Sequence, residues 1–200
     1  MKNILVLNSS VMAENSVSRV LVDQTVAELL AKNPGARVVR HDLGEQPIPH
    51  LITANVAGVR GVPQSEAEVA ARALSDELIA ELRSTDILVI GAPMYNFGIP
   101  TGLRSWFDFV LRSGETFQYT ESGPQGLLGE KQVIVIESRG GLYSEGPAQL
   151  MDFQEPYLRT LFGFMGLTDV VFIHAEKIGF GPEARESAIE EAKEAIANLC

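Results

Sequence analysis

The chain has 200 residues, 46% of them hydrophobic, with a mean hydropathy of +0.09 and a formal net charge of −10 at pH 7. That length and composition suit one ordinary α/β domain with a full core and exclude intrinsic disorder. The acidic balance, with no Lys/Arg run longer than two residues, excludes a nucleic-acid surface, which needs a basic stripe.

The first apolar run, Asn3–Asn8, begins almost at once and leaves no room for the basic, apolar and cleavage segments of a signal peptide. No lipid-anchor motif is read. Apolar stretches reach about six residues, far short of the roughly 20 of a membrane helix, so a cytoplasmic protein without membrane contact is expected. A helix over Ser18–Lys32 would turn Leu21, Ala27 and Leu30 inward and end at Asn33-Pro34-Gly35. Arg37–Leu43 alternates, as an edge strand does, and Gln46–Gln64 is a connection punctuated by Pro and Gly.

Ser65-Glu66-Ala67-Glu68 reads as a capping box for a helix with Val69, Ala73, Leu74, Leu78 and Leu82 on one stripe. Strand Asp86–Pro93 follows. Thr101 then caps a helix whose core positions are Leu103, Trp106, Phe107, Val110 and Leu111. Glu115–Glu130 reads as a long loop, and long loops in compact domains are usually functional or disordered. Strand Gln132–Ser138, a helix burying Phe162 and Phe164, strand Asp169–Glu176 and a final helix from Pro182 complete the pattern. The final helix turns Ile189, Ala192, Ile196 and Leu199 inward. Cys200, the one cysteine, is expected to be a solvated tail residue and excludes an internal disulfide and a cysteine metal cluster.

Near-continuous Ile, Leu and Val in three of these runs indicates strands buried on both faces, as in a parallel sheet. Five βα units with short connections give a doubly wound, single-domain α/β fold over residues 1–200: five parallel strands with helices on both faces. Ligands of such sheets bind beyond the carboxyl ends of the strands, near the reversal of strand order.

Three loops qualify. After strand one comes Ser9-Ser10…Asn15-Ser16-Val17-Ser18, with no glycine and therefore neither a dinucleotide fingerprint nor a P-loop. Helix-start amides with the hydroxyls of Ser10, Ser16 and Ser18 can hold a phosphate, while Asn15, Ser16 and Ser18 read equally as helix caps. After strand three, Met94, Tyr95 and Phe97 offer apolar surface to a flat ring, Asn96 both donates and accepts, and the small Gly91 and Ala92 permit close approach. After strand four, Ser138-Arg139-Gly140-Gly141 gives backbone freedom. There Arg139 can either stabilise negative charge on a reduced cofactor or pair with a carboxylate. His41, His50 and His174 are scattered and read as structural or surface residues, and no metal site is expected. Asp42 and Glu137 read as sheet-end carboxylates.

Ala92-Pro93-Met94-Tyr95-Asn96-Phe97, Ser138-Arg139-Gly140-Gly141 and the Ser9-Ser10…Ser16-Val17-Ser18 loop together resemble the FMN-dependent NADH:azoreductase family, which also reduces quinones. Gly123-Pro124-Gln125-Gly126, Pro156-Tyr157-Leu158 and Gly163-Phe164-Met165-Gly166 extend the likeness over the whole chain. The resemblance implies a flavodoxin-like three-layer fold and a homodimer carrying one FMN per subunit, with active sites at the subunit interface. Ser10, Ser16, Val17 (through its backbone alone) and Ser18 would hold the phosphate and ribityl chain. Met94, Tyr95, Asn96, Phe97, Ser138, Arg139, Gly140 and Gly141 would line the isoalloxazine, and Tyr119 and Arg60 the acceptor pocket. The implied reaction is ping-pong: NADH or NADPH gives hydride to flavin N5 and leaves, and a quinone or azo compound takes its place. No side-chain nucleophile or base is needed, since the cofactor carries the chemistry. A flavodoxin-like electron carrier without its own substrate is the alternative.

Overall fold

Runs of Ile, Leu and Val need cover on both sides, and the computed structural model, which describes residues 1–199, supplies it. Cys200 lies outside the described residues. Five strands, β1 (Asn3–Asn8), β2 (Arg37–Asp42), β3 (Ile87–Pro93), β6 (Gln132–Ser138) and β7 (Asp169–Ala175), form one parallel sheet in the order β2-β1-β3-β6-β7. Val6 pairs with Val89, Val89 with Ile134 and Ile134 with Val171 across the sheet. Alternate residues of each strand enter different cores. Ile4, Val6, Val89 and Ile134 meet α1 (Val17–Lys32) and α6 (Pro182–Leu199). Leu5, Leu7, Leu88 and Val135 meet α3 (Glu66–Ser84), α4 (Thr101–Val110) and α5 (Glu155–Met165), with Trp106, Phe107 and Phe162 wholly buried. The chain passes from β2 back across β1 to β3, so the order reverses between β1 and β3.

The inward faces of two helices differ from expectation. In α1, Leu21, Val22, Thr25, Val26 and Leu29 are buried, while Ala27 and Leu30 face solvent. In α3 the stripe is Ala71, Ser75, Leu78, Ile79 and Leu82, with Val69 and Ala73 outside. Both buried sets keep steps of three and four residues; Leu21 to Ala27 to Leu30 does not, and drifts around the cylinder. Thr101 is the first helical residue of α4 rather than its cap, the capping position being Pro100.

The two long connections carry structure of their own. Gln46–Gln64 includes the short helix α2 (Val56–Arg60). Glu115–Glu130 is not an irregular loop: Phe117–Thr120 (β4) and Gly123–Gly126 (β5) pair as an antiparallel hairpin. The hairpin leans on the end of α5, where a Cβ on Gly126 would stand 2.1 Å from the Gly166 amide, so only glycine fits. Phe164 is half-buried rather than core, because the hairpin offers it Phe117 at 4.6 Å between ring centroids. No helix is long and apolar enough to cross a membrane among the described residues.

The capping box is present in full: Ser65 Oγ accepts from the Glu68 amide, and the Glu68 carboxylate accepts from Ser65 and Gln64 amides. Ser65→Ala is expected to lower stability to urea by about 1 kcal/mol while leaving ligand binding at the far end of the sheet unchanged.

Candidate functional site

The carboxyl ends of β1, β3 and β6 open onto one cavity of about 170 Å³, lined by Ser10, Met12, Asn15, Ser16, Val17, Pro93, Met94, Tyr95, Ser138, Gly140, Ile178 and Arg185. The three loops singled out from the sequence therefore meet. Ser10, Ser16 and Ser18 are all buried. Ser16 caps α1 by accepting from the Arg19 amide at 3.2 Å, and its hydroxyl lies 3.2 Å from that of Ser18. Capping and cavity lining are thus two uses of one residue. As the first two helical residues, Val17 and Ser18 have amides without an intrahelical carbonyl, and these add to the positive end of the helix dipole. Arg19 is drawn to Asp42 at the end of β2, 2.6 Å away.

The Tyr95 hydroxyl crosses to the first loop, 3.3 Å from Ser10 Oγ and accepting from the Val11 amide at 3.2 Å. Tyr95 and Gly98 exchange backbone hydrogen bonds around a tight turn whose central residues, Asn96 (φ 48°) and Phe97 (φ 69°), are left-handed. For a phenylalanine that conformation costs on the order of 1–2 kcal/mol, and side chains held so are concentrated at ligand sites. The turn is tied down at both ends: Met94 N donates to Ser138 O, and Phe153 N to Phe97 O. Gly91 and Ala92 do not lie against the cavity. A Cβ on Gly91 would meet Val22 Cγ2 at 3.0 Å, so its smallness lets α1 pack on the sheet; Ala92 is fully buried in the other core.

Arg139 also departs from the flavin-facing expectation. Its side chain is fully buried, turned away into a cluster of carboxylates: Glu137 at 2.6 Å, Asp152 at 3.0 Å and Glu176 at 3.2 Å, with the Gln154 amide oxygen accepting from Nε at 3.2 Å. A buried guanidinium cannot remain unpaired, and these acids are the partners in reach. What the cavity receives from this segment is Ser138 and Gly140; Arg139 and Gly141 do not line it. Glu176 shapes it further, accepting from the Tyr143 and Ser144 amides and the Ser144 hydroxyl. Burial pushes the Glu176 carboxyl up, but the bonds from Ser144, Tyr143 and Arg139 outweigh it and hold the group below the usual carboxylate range. Glu137, buried beside them, is pushed up by desolvation. His174, hydrogen-bonded to Glu137 at 3.1 Å and Glu155 at 2.8 Å, is held above the ordinary histidine range by the Glu137 bond, against the effect of burial.

Relatives carry the same architecture. A family model described as a flavodoxin-like fold matches residues 2–199. The chain is 65% identical over 199 residues to an FMN-dependent NADH:quinone oxidoreductase of Hyphomonas neptunium, covering 100% of this chain and 96% of that protein. To the protein of the same name from Ralstonia nicotianae it is 48% identical over 196 residues, covering 96% and 94%. The chain belongs to this flavodoxin-like family of FMN-dependent NADH:quinone oxidoreductases. The crystal structure of the azoreductase from Bacillus anthracis superposes with a TM-score of 0.91 at 30% identity, covering 100% of this chain and 98% of that one.

Within this flavodoxin-like frame a fourth loop joins the three. The segment after β7 runs along the Gly140–Gly141 backbone, with Lys177 N donating to Gly141 O and Gly179 N to Gly140 O. A Cβ on Gly179 would stand 3.0 Å from the Gly140 carbonyl, so a glycine permits this approach. The segment brings Ile178 and Arg185 to the cavity, two residues the sequence reading did not select; Gly179-Phe180-Gly181 before Pro182 was the available signal. Tyr119 and Arg60 are not brought there by their own chain. Tyr119 is 73% exposed on the hairpin, 6.5 Å from the Phe164 ring, and Arg60 donates to the Leu111 and Asp108 carbonyls at the end of α4. A larger depression of about 700 Å³ lies at the amino ends of the strands, lined by Lys2, Asp86, Lys131 and Asp169, away from the reversal of strand order.

The Arg139 cluster makes stability depend on pH in a defined way. His174 has its folded pKa raised, so its contribution is complete below the unfolded value of 6.5 and disappears as pH rises through the higher folded value. Glu155 and Glu176, depressed below 4.5, contribute above that value and lose it as pH falls. Glu137, with its folded pKa raised above 4.5, loses its contribution as pH rises, so urea stability is expected to fall on the acid side as Glu155 and Glu176 take up protons and on the alkaline side as Glu137 and then His174 give theirs up. His174→Gln should flatten the alkaline side, and an unaltered pH profile in that variant would refute the assignment. Arg139→Met, which leaves the carboxylates uncompensated, should cost about 3–5 kcal/mol.

Proposed function

We propose that residues 1–200 act as one domain of a homodimeric, FMN-dependent NADH oxidoreductase that reduces quinones and azo compounds. The observation that carries this reading is the cavity itself. The Ser10 and Ser16 hydroxyls, with that of Ser18 3.2 Å behind Ser16, and the start of α1, with no glycine fingerprint, stand beside an apolar wall at the switch point of a parallel sheet. The donor set fits a mononucleotide. Hydroxyls and helix amides suit a terminal phosphate, while Pro93, Met94 and Tyr95 face the space beyond Gly140, where an added Cβ would meet nothing within 4 Å. The relatives, FMN-dependent NADH:quinone oxidoreductases and an azoreductase by name, support it.

The residues then divide the work. Ser10, Ser16 and Ser18 with the Val17 amide hold the phosphate and ribityl chain; Tyr95 and Asn96 place the ring edge; the Ser138–Gly141 backbone lies against its other side. FMN held there would supply the chemistry of hydride transfer from nicotinamide to acceptor. One cavity of this size would admit donor and acceptor only in turn, a ping-pong order in which an azo compound needs two rounds to become two amines. A cavity of about 170 Å³ is smaller than the roughly 300–1,000 Å³ of complete ligand sites, which suits a site finished by a second copy of the chain. The rim supports this: Phe97, Leu150, Met151 and Phe153 are exposed, at 43%, 87%, 43% and 65%. On this reading Tyr119 and Arg60, which stand away from their own cavity, line the acceptor pocket of the neighbouring subunit.

Rapid mixing of the flavin-loaded protein with NADH tests the reading: flavin bleaching should be a single step whose rate saturates with NADH, followed by reoxidation with a quinone. Slow reduction with an accumulating one-electron state would favour the electron-carrier alternative, and a protein that takes up no FMN would refute both.

Gly140→Leu and Asn96→Trp are expected to weaken FMN retention at least tenfold while changing the melting temperature of the flavin-free protein little, since Gly140 lines the cavity with open space at its Cβ position and Asn96, exposed on the adjoining turn, is assigned to the ring edge. Melts with and without FMN separate the two effects, because a lost ligand removes only its mass-action stabilisation.

A further inference from the structure

Phosphate recognition in this cavity rests, on the reading above, on neutral donors: serine hydroxyls and helix amides. In the ligand-free chain the hydroxyls already carry hydrogen bonds, and the first amides of α1 are the donors left open. Ser10 Oγ accepts from the Met12 amide and meets Tyr95, and Ser16 Oγ accepts from the Arg19 amide and meets Ser18. A terminal phosphate carries close to two negative charges at neutral pH and must be brought to a protein of net charge −10. Arg19 stands next to the loop, but its guanidinium is held by Asp42 at 2.6 Å.

One cation lining the cavity is not so held. Arg185, in the first turn of α6, borders the same space as Ser10, Asn15, Ser16 and Val17 and forms no ion pair among the described residues. Its position is unfavourable for the helix, because a cation in the first turn opposes the macrodipole, whose preference Glu183 satisfies. Its backbone is well anchored: the Arg185 amide donates to Gly181 O at 3.0 Å. The loop leading to it is fastened to Gly140 and Gly141 by the Gly179 and Lys177 amides. Arg185 is exposed and solvated, so its guanidinium is free to turn to an anion seated in the neutral cradle that it borders.

We infer that Arg185 is the phosphate-recognising cation of this site, reaching from α6 to the terminal phosphate of FMN and making the site selective for the phosphorylated flavin over riboflavin. The inference rests on the FMN reading and adds to it a residue outside the three loops. It requires no bond to form or break, only the pairing of a guanidinium with phosphate oxygens.

The test titrates flavin-free protein with FMN and with riboflavin, following flavin fluorescence, at low and raised salt, for the wild type, Arg185→Gln and Arg185→Lys. FMN affinity should fall about tenfold in Arg185→Gln and less in Arg185→Lys, with riboflavin affinity unchanged in both. The salt dependence of FMN binding should shrink in Arg185→Gln alone. Melting of the flavin-free variants at the wild-type temperature shows that α6 is intact, and Arg185→Lys keeps the test usable if the glutamine variant folds poorly. A wild type that binds FMN beside an Arg185→Gln variant of equal affinity overturns the inference. So does an equal loss toward riboflavin, which indicates packing, or a raised KM for NADH with unaltered FMN affinity, which moves the arginine to the dinucleotide. A wild type that binds neither flavin overturns the FMN reading itself, and this inference with it.

Discussion

A guanidinium with no access to water is the constraint on which the upper end of this sheet depends. Arg139, just past β6, reaches Glu137 at the end of that strand, Glu176 just past β7, Asp152 and Gln154 before α5, and through Gln154 Nε2 the Ala92 carbonyl of β3. Desolvating such a charge costs several kcal/mol, and the cost is offset only when nearly all five donors find acceptors in good geometry. The planar fork of arginine can meet acceptors on several elements at once, which the single ammonium point of lysine cannot. Three strands and one helix are thereby referred to one group. The Gly140–Gly141 backbone, the Tyr143–Ser144 amides and the segment carrying Ile178 take their positions from it.

That arrangement separates the rigid part of the site from the adaptable part. Below, buried pairs and strand ends set the cavity floor. Above, Phe97, Leu150 and Phe153 stand exposed, joined by the Phe153-to-Phe97 backbone bond, and the left-handed Asn96–Phe97 turn holds its side chains outward at a local conformational cost. A flat ring needs a fixed floor, whereas acceptors of different shape need a rim that is apolar and not closed by the same chain. The chemistry resides in the cofactor, so the demand on the protein is placement, and backbone fixed by a buried ion cluster supplies it.

How far these features can be read from the sequence follows from where their determinants lie. The five strands stand within two residues of their expected ends: in β1, β3 and β6 burial on both faces leaves an unbroken apolar run, and the edge strand β2 shows instead the alternation of a half-covered strand. The Ser65 capping box is equally local, four consecutive residues long. The β4–β5 hairpin is not legible, since its second strand is Gly-Pro-Gln-Gly, a sequence of turn-formers held as a strand by Phe117 and by the close passage of Gly126 over Gly166. Nor is the fate of Arg139. Its carboxylates come from separate elements, and beside Gly140 and Gly141 a lone arginine reads as a ligand contact. The sequence leaves both of its uses open, and burial decides between them. Arg185 was hidden for the opposite reason: on a solvated helix face every arginine looks alike until the fold brings one to a cavity.

Charge sets the last requirement. With a net charge of −10 the surface as a whole repels both a flavin phosphate and a dinucleotide, yet at physiological salt that repulsion is screened over about 8 Å. Affinity is then decided by groups within one screening length of the anion: the amides of α1, three hydroxyls and an arginine on α6. Arg19, although closer in sequence to the cradle, is neutralised by Asp42, and Arg139 is neutralised several times over. The acidic surroundings thus select by removing the other cations from competition, and a single unpaired guanidinium can account for preference between two flavins that differ only by a phosphate.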